Sequence, residues 1–152
     1  MANFHRFTIK AQEALQNAQE IVARENHGEL KALHLLKALL EDQSTLVLPM
    51  LVQSGVNLEE LKKEITSELE RLPKIFTGSG SVSQLYLSHE LMRILDYAAD
   101  IAAKQKDEYI SCEHLILSLL DAPSKAQELL SRFNARRDAL IRTLAGLRGS
   151  AK

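Results

Sequence analysis

The side chains able to do chemistry in this chain are a few histidines, one thiol and scattered acids, and each grouping stops short of a complete site. His34 and His114 stand in equivalent places at the starts of two short apolar helices, which suggests a two-histidine metal site across the pseudo-dyad. A zinc ion needs more ligands than two, and a histidine in such a place ordinarily packs its ring and bonds the backbone. His89-Glu90 resembles the start of a zincin helix, but Arg93 occupies the position where the i, i+4 partner histidine belongs. Glu90 then reads as an acid favoured in the first turn after a Ser88 cap. Ser111, Cys112 and His114 are sequence neighbours at a helix start, which does not supply the base-to-nucleophile geometry of a thiol or hydroxyl enzyme. Cys112 is the single cysteine, so no intramolecular disulfide or cysteine-rich zinc site forms. There is no GxxxxGK[ST] string to cradle phosphates, and Gly78-Ser79-Gly80-Ser81-Val82-Ser83 lacks the third glycine of a dinucleotide fingerprint. These absences predict a chain with no catalytic residues, no metal and no cofactor of its own.

The elements that carry these residues are helices. Of the 152 residues, 45% are hydrophobic, 26% charged and only 5% aromatic, with six glycines and three prolines, so strands with frequent turns have little support. Nineteen basic against twenty acidic side chains leave a net charge of −1, which argues against a nucleic-acid partner. No apolar run is long enough for a membrane span and no export segment opens the chain, so the expected location is the cytoplasm.

Thr8 caps a helix whose stripe is Ala11, Ala14, Leu15, Ala18, Ile21 and Val22. Short helices over Leu33–Leu40 and Leu46–Gln53 follow, and Asn57 with Glu60 forms the signature of a capping box before a stripe that ends at Leu72. Thr77–Ser83 has the composition of a flexible connector. Beyond it, Leu87–Ala122 overlays Phe7–Asp42 at a constant offset of 80 residues, with His34/His114, Leu35/Leu115 and Leu39/Leu119 among eight identical positions. Further helices are predicted over 88–106, 111–121, 124–132 and 136–147. The expected fold is all-α, a pseudo-twofold duplicated four-helix repeat of about eight helices in one domain over 1–147. Repeat one covers 7–73, a connector 74–87 and repeat two 88–147, with 148–152 beginning a tail.

Two copies packed face to face leave a seam, and a seam lined by unmatched side chains is a natural groove for a partner segment. Tyr97 and Ile101, spaced i, i+4, border the main stripe of their helix and either widen the core or line that seam. Asp107 and Glu113 flank the following turn, as solvated acids or as a polar rim. Arg132, Arg136, Arg137, Arg142, Arg148 and Lys152 make the C-terminal end basic, read as a solvated face.

The duplicated unit resembles the Clp N-terminal domain found at the front of AAA+ chaperones. The resemblance rests on Phe7-Thr8 with Ala11-Gln12-Glu13-Ala14-Leu15, on His34-Leu35-Leu36 with Ala38-Leu39-Leu40, and on Ile110-Ser111-Cys112-Glu113-His114-Leu115. Arg71-Leu72-Pro73 and the Gly/Ser connector are most similar to the ClpB-type disaggregase. That resemblance implies a non-enzymatic docking domain for unfolded or aggregated polypeptide. ATP and Mg would act in further AAA+ modules of a hexameric ring. It implies substrate-binding roles for Thr8, Asp107 and Glu113, and groove-lining roles for Tyr97, Ile101 and His114, the last at a site often occupied by leucine. The ClpC type carries a glutamate before the histidine in both copies, for phosphoarginine; Leu33 stands there in the first copy, so symmetric capture is not implied. Two alternatives remain: an adaptor dock of a ClpC- or ClpA-type protease-coupled unfoldase, and a helical metal-dependent hydrolase using His34, His114, Glu90 or Glu113.

Overall fold

The periodicities resolve into eight α-helices among the described residues, which in this computed structural model are 4–75 and 86–150. Repeat one supplies α1 (Ile9–Arg24), α2 (Ala32–Glu41), α3 (Val47–Gln53) and α4 (Leu58–Glu70). Repeat two supplies α5 (His89–Lys104), α6 (Cys112–Asp121), α7 (Lys125–Arg132) and α8 (Arg137–Ser150). α8 therefore runs past the boundary expected at 147, and Thr77–Ser83 lies outside the described residues. The fold class is all-α, as the sequence implies.

The helix starts follow from their caps. Thr8 and Ser88 accept from the amides of Ala11 and Leu91 at 3.1 Å each, and Asn57 and Ser124 cap α4 and α7 in the same way. The ends of α1 and α5 are equally alike. Asn26 (φ 59°) and Lys106 (φ 60°) take the left-handed conformation, while the amides of His27 and Asp107 reach back to the Val22 and Ala102 carbonyls at 3.0 and 2.9 Å. This is the Schellman closure, and it delivers His27 and Asp107 to the same place in the two copies. Gly55 (φ 94°) and Asn134 (φ 67°) end α3 and α7 in the same region of backbone space.

Within each repeat the first two helices pack together, α1 on α2 and α5 on α6. Between repeats α2 meets α6, α3 meets α8, and α4 meets α7. These pairings respect the pseudo-twofold, and their apolar faces form one continuous core. Its centre holds Leu35, Leu36, Leu115 and Ile116, each 0% exposed. Ser118 is fully buried as well, and its hydroxyl donates to the Ile94 carbonyl.

Two short parallel pairings, which helical periodicity does not reveal, lace the copies together. β1 (Glu29–Leu30) pairs with β2 (Tyr86–Leu87), and Phe7 bridges Ile110. The segment leading into the first helix of each repeat is thus bonded to the segment before the second helix of the other. Thr8 N–H donates to the Ile110 carbonyl at 2.9 Å, and Ser88 N–H to the Leu30 carbonyl at 3.1 Å. Glu90 adds a third link: its carboxylate accepts from the Ala32 amide at 3.0 Å and so caps α2 of the opposite repeat.

Candidate functional site

The corner between α5 and α6 gathers most of the residues singled out by sequence. α6 begins at a reciprocal cap in which Ser111 Oγ accepts from the His114 amide at 3.4 Å and His114 Nδ1 accepts from the Ser111 amide at 2.8 Å. With Nδ1 an acceptor, neutral His114 carries its proton on Nε2, which donates to Asp107 Oδ2 at 2.8 Å and lies 3.2 Å from Gln105 Oε1. Ser111 Oγ, 3.0 Å from Nδ1, completes the outline of a serine–histidine–acid relay. The chemistry of such a relay does not follow. The lone pair that would take the serine proton already receives a backbone N–H, and the ring is 1% exposed.

Arg148, from the last turns of α8, closes over the two acids, 3.5 Å from Asp107 and 3.3 Å from Glu113. Arg132, Arg136, Arg137, Arg142 and Arg148 are all exposed, in keeping with a solvated face, yet several pair across the fold: Arg137 also binds Asp121 at 2.8 Å, and Arg132 lies 3.7 Å from Glu64. Periodicity on one helix gives no sign of such pairs, because each joins elements distant in sequence.

Thr8 reaches this corner through its backbone bond to Ile110, although its hydroxyl is engaged as the α1 cap. Tyr97 stands about 12 Å back along α5 from the turn and is 37% exposed. Ile101, at 6%, and His114, at 1%, lie inside the core. At these two positions the expected apolar furrow is filled by the protein's own side chains. Ile101 continues the buried face of α5, and His114 turns inward to satisfy Asp107. Apolar surface is found instead at Ile9 and Tyr109, 73% and 51% exposed and both within two residues of the Phe7–Ile110 bridge. Ile9 lies off the α1 stripe and Tyr109 sits in a turn. Their departure from the periodic pattern was the only signal the sequence held for them.

The other candidate chemistry disperses. Cys112 is 2% exposed, and burial, with Glu113 adding to it, pushes its thiol up to about 12, so it behaves as a small core side chain. His34 is fully buried and bonds His27, not His114. No group of three or more potential metal ligands occurs among the described residues. A cleft of about 260 Å³ lined by Lys37, Leu40, Glu41, Lys62 and Ile65 lies between α2 and α4 and contains none of the candidate substrate-binding residues. No described helix is long and apolar enough to cross a membrane.

Comparison with known proteins agrees with this architecture. Residues 6–133 match the model of the Clp repeat N-terminal domain. Chaperone protein ClpB of Bacillus cereus is 33% identical over 151 residues, covering 99% of this chain and 17% of the relative, so the chain spans about a sixth of that protein's length. Among solved structures, the Hsp104 N-terminal domain from Candida albicans superposes with a TM-score of 0.79 at 22% identity, covering 95% of this chain and 92% of that one. A ClpV N-domain in complex with a VipB peptide gives 0.69 at 19% identity, covering 87% and 81%. With two copies of one helical unit, interlaced segments and a family match over most of its length, the chain belongs to the Clp repeat N-terminal domain family.

Proposed function

We propose that this domain docks apolar segments of unfolded or aggregated polypeptide, in the cytoplasm, for a ClpB-type ATP-driven disaggregase whose ATPase modules lie outside this sequence. The observation that carries the reading is the exposure of Ile9 and Tyr109 around the α5–α6 corner, beside the acids Asp107 and Glu113. Tyr97 extends this surface along α5, and Thr8 ties it to the first repeat. Ile101 and His114 act from beneath, fixing the helix and the acid that the segment meets. A shallow surface with few polar anchors selects weakly, so affinities from about 10 μM to mM are expected.

The test is an NMR titration of the 15N-labelled domain with a permanently unfolded, reduced and alkylated polypeptide. Amides at Thr8, Ile9, Tyr97, Tyr109 and Glu113 should shift together, and Tyr109→Ser should weaken binding at least severalfold. Shifts confined to other surfaces, with these amides still, would overturn the assignment. An adaptor-docking role draws support from the ClpV neighbour, which is described with a VipB peptide. It predicts tight binding of a folded partner and little response to unfolded chains.

A further inference from the structure

The counterpart of the α5–α6 corner in repeat one holds a buried pair of histidines that the docking surface does not use. His27 Nδ1 lies 2.8 Å from His34 Nε2, and the residues are 7% and 0% exposed. Lys31 N–H donates to His34 Nδ1 at 2.9 Å, so neutral His34 has its proton on Nε2 and gives it to His27 Nδ1. His27 therefore carries its own proton on Nε2, and that buried atom has no hydrogen-bond partner; the nearby Leu69 backbone falls short of bonding geometry. Both acceptor lone pairs of the two rings are in use. A further proton has nowhere to sit unless one of the two hydrogen bonds breaks.

We propose that the His27–His34 pair is a proton-operated joint: uptake of one proton parts the end of α1 from the start of α2 and loosens the β1–β2 lacing, opening repeat one locally while repeat two stays closed. The position of the pair gives the opening its reach. His27 bridges Lys74, Asn26 accepts from the Ile75 amide at 2.7 Å, and β1 begins two residues after His27. In repeat two the same place is held by Asp107, a part-exposed carboxylate that accepts from His114 Nε2 and pairs with Arg148, so that corner holds no second buried ring.

The charges around the pair are few. Glu25 at the end of α1 favours protonation of His27, while Lys74 opposes it there and Lys31 and the His27 ring oppose it at His34. Burial outweighs all of these, lowering His27 and bringing His34 from 6.5 to about 4. The sign follows directly. The closed form holds its proton less tightly than the open form, so its stability is complete above pH 6.5 and is lost progressively as pH falls toward 4.

The test pairs imidazole 15N shifts with amide hydrogen exchange on the 152-residue chain. Corrected for intrinsic exchange, opening at Lys31–Leu35 should be about 30-fold greater at pH 5 than at pH 7.5, coincident with ring protonation and severalfold larger than at Ser111–Leu115. His27→Asp, which transplants the second repeat's partner, should abolish the rise. Equal opening at both corners, no opening at pH 5, or rings that titrate near pH 6.5 with Lys31–Leu35 still protected would overturn the proposal. The wild-type measurement decides the matter even if the variant fails to fold.

Discussion

The two inter-helix corners are built on one backbone plan and differ in what receives the same imidazole proton. In both, a Schellman closure presents residue 27 or 107, a histidine one turn into the next helix caps it through Nδ1, and Nε2–H points back to the presented residue. Repeat one offers a second imidazole and repeat two a carboxylate, which in turn holds Arg148. The backbone plan thus demands only an acceptor at that point. Its chemical identity decides whether the corner is neutral and sealed or charged and tied to the surface.

The comparison breaks most decisively if the copies prove energetically independent. Leu35→Ala and Leu115→Ala remove equivalent, fully buried side chains from one core, and each should cost about 2–5 kcal/mol in a single unfolding transition. Two separate transitions in calorimetry would show two bodies and undo the symmetry argument. A smaller effect is expected from Asp107→Ala. It leaves His114 Nε2–H to Gln105 alone and takes away the acceptor that both corners otherwise supply, at about 1–3 kcal/mol by denaturant unfolding. A loss below about 0.5 kcal/mol would mean that Gln105 suffices as acceptor. Arg148→Ala should cost least, under about 1 kcal/mol, because its ion pairs are partly solvated, and the loss should shrink further in high salt. A salt-independent loss of more than that would assign the arginine to packing.

The legible parts of this protein were those encoded within one element. Stripes such as Ala11–Val22, caps such as Thr8 and Ser88, and the constant offset between His34 and His114 are local or repetitive, so the helices and the duplication could be read directly. Contacts made across the fold were not. Glu90 looked like an ordinary first-turn acid and proved to cap the other repeat's helix, while Arg148, exposed as read, also holds Asp107 and Glu113. Ile101 illustrates the limit from the other side: read within its own helix it borders the stripe, while the offset of 80 residues places it on Ile21 of the first repeat's stripe, and both are buried. The His27–His34 bond was missed because residue 27 falls in a turn, where periodicity carries no information and its counterpart, Asp107, has a different side chain.

The crossed lacing bears on how the chain is made. Phe7 cannot complete its bridge until Ile110, more than one hundred residues later, is available, and Leu30 must wait for Leu87. A ribosome releasing the first repeat would therefore expose a half-finished body with its leading segment unpaired. Such distant closures raise the contact order and slow folding relative to an ordinary helical bundle of this size. They also leave each nascent half with an edge suited to the complementary half of another chain, so exchange between newly made copies is a hazard built into the duplication.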